Sequence, residues 1–175
     1  CCVKHFPGHG DTHVDSHLAL PTVDKPRAEL DRTELLPFKA LAASAPAVMT
    51  AHIVYPQLDP DHPATLSKAI LGGILRGEWG YDGVVITDAL MMKAIAERYG
   101  YARASVMAID AGADMVLAQG GMAEQQAAID ALQSAFDDGR SSRFPARDGQ
   151  EPGYERAPPS AFAHASPTDA TPGGE

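Results

Sequence analysis

The segment Lys4 to His17 carries four histidines, one lysine and two aspartates within fourteen residues. Such side chains can move a proton, ligate a metal or hold a substrate hydroxyl. His5, His9, His13 and His17 recur every four residues, which on a helix would form one continuous ligand face. Pro7 would remove a helical hydrogen bond and clash with the preceding turn, and Gly8 and Gly10 each disfavour helix by about 1 kcal/mol relative to Ala. The segment therefore reads as a loop leaving a short apolar strand at Cys1 to Val3. Asp15 and His17 stand two apart, on one side of an extended stretch, where a carboxylate can fix the tautomer of an imidazole and favour its protonated form. That pair is a candidate acid/base dyad, although an Asp and a His in a surface loop can equally make a local Asx turn.

Three further positions follow apolar runs. His52 comes after Ala47-Val48-Met49-Thr50-Ala51, Asp88 closes Val84-Val85-Ile86-Thr87, and Met91 lies just beyond it. An Asp at that point either does chemistry or caps the next helix. Lys4, at the end of the first strand, is a binding residue or a snorkelling surface cation. Met91 is a wall for a ligand or ordinary core. His9 and Asp11 are open between site and loop structure, while His13, His62 and His164 are assigned to solvent.

The elements that would position these groups alternate. A strand over residues 1–6 is followed by a charged connection at Pro26 to Glu34 and a short helix led by Pro37. The run 47–55 reads as one strand, bounded by Pro46 and Pro56. Ser67 caps a helix over Lys68 to Arg76, stopped by Gly77 and Gly80. A strand at Val84 to Thr87, a helix at Ala102 to Ala111, a strand at Met115 to Ala118 and a helix at Met122 to Phe136 complete the series. Strand and helix through four rounds imply parallel strands with helical crossovers. With Lys4 to His17, His52 and Asp88 all after carboxyl ends of strands, the expected class is α/β, half of a (β/α)₈ barrel. From about Arg140 the composition turns to Pro and Gly with few large apolar residues. The expected organisation is a partial barrel at 1–139 and a disordered tail at 140–175.

Composition narrows the partners. A net charge of −9 over 175 residues, with 45% hydrophobic content, is ordinary for a globular domain and argues against nucleic acid or an anionic membrane surface. No run approaches the ~20 apolar residues of a membrane span. Two adjacent cysteines give no disulfide framework. No Gly-x-Gly-x-x-Gly follows a strand, so no cofactor is expected. The expected address is the cytoplasm, with secretion left open because the chain does not begin with Met.

Lys4-His5-Phe6-Pro7-Gly8-His9-Gly10-Asp11-Thr12, followed by Asp15-Ser16-His17, resembles the signature of family 3 glycoside hydrolases of the β-N-acetylglucosaminidase type. Ile86-Thr87-Asp88-Ala89-Leu90-Met91-Met92 resembles the family's nucleophile segment. The resemblance spans roughly residues 1–122. It implies a carbohydrate substrate, terminal β-linked N-acetylglucosamine on a peptidoglycan-derived fragment, and retention through a glycosyl-enzyme intermediate. It makes Asp88 the nucleophile, His17 the acid/base with Asp15 as its partner, and Lys4 and His5 sugar-binding residues; His52 and Met91 are expected to line the same mouth. It also implies that the amino-terminal half of the barrel, with further sugar-binding residues, lies outside this sequence. Phosphorolysis is a variant of the same chemistry. Two other readings compete: an inactive half-barrel, and a metal-dependent hydrolase built on His5, His9, Asp11 and His17, whose spacing matches no zinc pattern.

Overall fold

A computed structural model describes residues 1–12 and 20–139. Asp15, His17 and His13, and the segment expected to be a tail, lie outside the described residues. The central sheet has four parallel strands in the order β1 (Cys2–Phe6), β2 (Ala47–Thr50), β5 (Val84–Ala89) and β6 (Met115–Leu117). The β2–β5 ladder runs from Ala47 opposite Val84 to Met49 opposite Ile86. These are the four strands expected from the sequence, joined by helices, so the α/β class with parallel strands stands.

Side-chain alternation divides the sheet into two faces. Val48 and Thr50 of β2 and Val85, Thr87 and Ala89 of β5 are buried against the helices. The other face carries Met49, Ile86 and Met115 in one row, with the exposed Val84 and the half-buried Asp88 along β5. Asp88 thus sits on the open face at the carboxyl end of a strand whose opposite face is locked in the core. The helical layer comprises α1 (Arg27–Leu30), α2 (Leu35–Leu41), a π-helix at Lys68–Glu78, α3 (Lys93–Tyr99), α4 (Tyr101–Ala111) and α5 (Met122–Asp137). Phe6 anchors one end of the core, edge-on to both Phe38 and Trp79 with centroids 5.4 and 5.7 Å away.

The expectation of a single strand over 47–55 is corrected. Parallel pairing stops at Thr50; the Ala51 N–H then donates to the Phe6 carbonyl and the Thr65 N–H to the Ala51 carbonyl. The chain leaves the sheet there, and β3 (Val54–Tyr55) pairs antiparallel with β4 (Asp59–Pro63) in a small second sheet. Ser67 caps the next helix as expected, its hydroxyl accepting the Ile70 N–H at 3.1 Å. That helix extends to Glu78 and is wound as a π-helix, and α1 occupies part of the connection expected to be irregular. Arg76 on the π-helix fastens the opposite end of the sheet: its guanidinium donates to the carbonyls of Tyr81 and Gly83, each at 2.8 Å, and pairs with Asp114.

Candidate active site

β1 ends at Phe6, whose burial fixes the strand terminus and leaves Lys4 and His5 at the rim. The ladder between β1 and β2 is irregular between Val3 and Phe6, which re-aims the intervening side chains. His5 Nε2 comes to 3.7 Å from Asp88 Oδ2, both side chains between a fifth and a third exposed. The other Asp88 oxygen, Oδ1, accepts the N–H of Ala89 at 2.7 Å. One carboxylate oxygen is thus tied to the backbone, while the second faces the imidazole across the open face of the sheet. Lys4 and His5 line a cleft of about 610 Å³ together with Gly8, His9, Glu34 and Phe38.

The loop that follows is fixed by groups the sequence did not single out. Gly8 is buried at φ +142°, and a Cβ built there would fall 2.7 Å from the Cβ of Glu34. Its carbonyl accepts from the buried Tyr55 hydroxyl, and burial together with the Glu34 charge pushes the Tyr55 phenol well above its ordinary range, so it remains a donor. Lys25 Nζ reaches both Asp11 Oδ2 and Glu34 Oε1 at 2.7 Å. Burial alone would raise the Glu34 carboxyl, but hydrogen bonds from Lys25 and Thr33 outweigh it and hold it below the usual carboxylate range. Asp11 therefore orders the loop through a cation. His9 contributes to loop structure too, its ring nitrogen Nδ1 lying 2.9 Å from the Thr12 hydroxyl and its ring edge-on to His5. Lys25 and Glu34 lie nine apart in a charged connection, a spacing with no local signature; Tyr55 ends an apolar run, and nothing in the sequence points its hydroxyl at Gly8.

Of the residues expected in the site, His5 and Asp88 come together from β1 and β5, while Lys4, exposed on β1, borders the cleft with His5. Met91 is 45% exposed, three residues beyond Asp88. His52 differs from expectation: it is 1% exposed and lies behind the mouth, not in its wall. Its Nδ1 is 2.8 Å from the Thr65 hydroxyl and its Nε2 3.0 Å from the Ala89 carbonyl. Asp15 and His17 fall outside the described residues. Among the described residues, no group of three or more His, Cys, Asp or Glu is placed to hold a metal ion.

The sequence and the parallel α/β sheet that holds His5 and Asp88 are similar to those of known proteins. Residues 1–148 match the Glycosyl hydrolase family 3 N terminal domain. The chain is 48% identical over 115 residues to the β-hexosaminidase of Alkalilimnicola ehrlichii, covering 65% of this chain and 33% of that protein. It superposes on a glycoside hydrolase family 3 β-N-acetylglucosaminidase from Paenibacillus sp. str. FPU-7 with a TM-score of 0.77 and 54% identity, over 79% of this chain and 27% of that one. NagZ from Neisseria gonorrhoeae, solved in complex with N-trifluoroacetyl-D-glucosamine, superposes with a TM-score of 0.56 and 41% identity, over 66% of this chain and 32% of that one. The chain spans between 21% and 40% of the length of the first curated relatives it matches. With its open-faced parallel sheet of barrel type and its family match over most of its length, the chain belongs to the glycoside hydrolase family 3 N-terminal domain family.

Proposed function

We propose that this chain supplies the nucleophile side of a retaining β-N-acetylglucosaminidase site acting on peptidoglycan-derived fragments, as part of a complete (β/α)₈ barrel whose portion here is residues 1–139. The observation that carries the reading is the convergence of His5 Nε2 and Asp88 Oδ2 at 3.7 Å on the open face of the sheet, at the ends of strands that do not pair with each other. The N-trifluoroacetyl-D-glucosamine bound by the gonococcal relative supports an N-acylated sugar as the ligand class.

Retention requires two displacements at the anomeric carbon. In the first, an Asp88 carboxylate oxygen bonds to that carbon as its bond to the leaving oxygen breaks, and His17 donates the proton the leaving oxygen takes up. In the second, His17 removes a proton from water, whose oxygen displaces Asp88, releasing the sugar and restoring both groups. An imidazole suits both halves because its ordinary pKa of ~6.5 lies near neutral pH, and proton transfer by a placed group contributes about 10² to 10⁴ in rate. Lys4 and His5 hold sugar hydroxyls, and His5 also lies within ion-pair reach of the nucleophile. Met91, exposed and three residues beyond Asp88 in the chain, would supply apolar wall.

The test is release from a chromogenic β-N-acetylglucosaminide by the intact protein and by Asp88→Asn. The reading predicts that the variant loses turnover while retaining its fold; unchanged sugar release by Asp88→Asn would refute it. Running the reaction with and without phosphate, and analysing whether the free sugar or its 1-phosphate forms, separates hydrolysis from phosphorolysis.

A further inference from the structure

The β2–β5 ladder ends at Met49 opposite Ile86, two residues short of Asp88. Beyond it, β5 is held from the β6 side: the Leu117 N–H donates to the Thr87 hydroxyl at 2.9 Å, and the Leu90 N–H to the Leu117 carbonyl at 3.1 Å. From the β2 side, His52 takes over. Its Nε2 is 3.0 Å from the carbonyl of Ala89, a residue 8% exposed. A carbonyl can only accept, so Nε2 carries the proton. Nδ1 faces the hydroxyl of Thr65, which is buried and packed in turn against the hydroxyl of Thr50 at 2.8 Å and the carbonyl of Ala51 at 2.9 Å. The ring is therefore pinned at both nitrogens, and its far end replaces the missing ladder bond.

Ala89 is also the residue whose N–H binds Asp88 Oδ1. One residue thus accepts from His52 and donates to the proposed nucleophile. We propose that His52 is a positioning residue for the reaction: held by Thr65, it fixes Ala89 and thereby the direction from which the Asp88 carboxylate meets the anomeric carbon. The inference rests on the glycosidase reading above and adds a role that burial denies to direct sugar contact. Its effect falls on kcat, because a carboxylate shifted by about 1 Å can cost about 10²-fold in rate while the hydroxyl contacts of Lys4 and His5 that hold the ground state remain.

The experiment compares wild type, His52→Ala, His52→Gln and Asp88→Asn in the intact protein with a chromogenic β-N-acetylglucosaminide. Gln places an amide N–H the same number of bonds from Cα as Nε2 and can remake the bond to Ala89. The expected result is a fall in kcat of about 10²-fold for His52→Ala with KM little changed, and recovery of most of that loss in His52→Gln. If Asp88→Asn is inactive but folded His52→Ala keeps wild-type kcat, or His52→Gln is as impaired as His52→Ala, the positioning role is overturned and the glycosidase reading survives. If Asp88→Asn turns over normally, both fall. Should His52→Ala fail to fold, ¹⁵N correlation spectra of the wild-type ring decide: a proton on Nε2 supports the role, and a ring protonated at Nδ1 alone overturns it.

Discussion

Replacing Gly8 by Ala tests whether the loop after β1 is seated by close backbone approach. The residue is buried at φ +142°, a region that L side chains avoid, and holding a non-glycine residue there costs on the order of 1–3 kcal/mol. The added methyl would also lie 2.7 Å from the Cβ of Glu34, 3.0 Å from its Cγ and 3.3 Å from its Cα, where carbon atoms prefer about 3.5–4.0 Å. The Glu34 carboxylate is tied to Lys25 and Thr33, and its Cβ cannot turn aside without the backbone of α2's first turn moving. Overpacking of that kind adds about 1–3 kcal/mol, so the expected loss is about 2–5 kcal/mol. Gly10, two residues on, is the internal control: it is exposed, and a Cβ there meets nothing within 4 Å.

Urea unfolding of the full chain and its two variants checks the difference. With a slope of about 2 kcal/mol per molar, Gly8→Ala shifts the midpoint down by about 1–2.5 M, while Gly10→Ala leaves it in place or raises it slightly through the unfolded state. Equal midpoints for the two variants would refute the argument, because both substitutions change the unfolded chain alike and only the contact with Glu34 and the backbone angle distinguish them.

Tyr55→Phe deletes the hydroxyl that donates to the Gly8 carbonyl and leaves that acceptor unmet; an expected loss of about 1–3 kcal/mol is measurable in the same urea series. Glu34 titrates below its ordinary value of about 4.5 in the folded state, so its contribution is complete above that pH and is lost as pH falls through the lowered value. Glu34→Gln should accordingly be less stable at neutral pH and show a shallower decline below pH 4.5, read from thermal unfolding at a series of pH values. Arg76→Met removes the donors serving the Tyr81 and Gly83 carbonyls and the partner of Asp114, whose carboxylate also accepts the Val85 N–H. A loss of about 2–4 kcal/mol follows, with hydrogen exchange at Val85 accelerated.

The four sheet strands were legible because each is a short apolar run ended by a turn signal or a change of polarity, and burial on the helix side demands such runs. β4 was not: Asp59-Pro60-Asp61-His62-Pro63 has none of the composition of a strand, and it is extended because Val54 and Tyr55 pair with its ends and Ser67 holds Asp59 at 2.6 Å. The meeting of His5 and Asp88 was legible as motif plus strand end. His52 was misplaced because residue type and position after a strand suggest a mouth residue, whereas the chain turns out of the sheet at Ala51 and carries the ring beneath it. Lys25 and Glu34 gave no signal, since their meeting with Asp11 depends on how α1 and α2 fold back over the loop.

The division of fixtures around the site has a physical logic. A nucleophile must reach one carbon along one line, and here the proposed one stands on a strand end secured from β6 by Leu117, from beneath by His52 and by its own hydrogen bond to Ala89. A side chain that only holds a hydroxyl, the role proposed for Lys4 and His5, tolerates more latitude, and both are more exposed than Val48 and Val85 in the strands behind them. The loop beyond them is fastened at Gly8 by Tyr55 and at Asp11 by Lys25, two contacts of different kind. The Tyr55 bond is buried and insensitive to salt; the Lys25 pair reaches the exposed Asp11 and weakens as ionic strength rises. Salt should therefore loosen the Asp11 end of the loop while leaving Gly8 seated, so the stability lost in Asp11→Asn should shrink as salt is added while the loss in Tyr55→Phe stays constant. Equal salt dependence of the two losses would mean that the two fastenings release together and that the loop is a single cooperative unit with the end of β1.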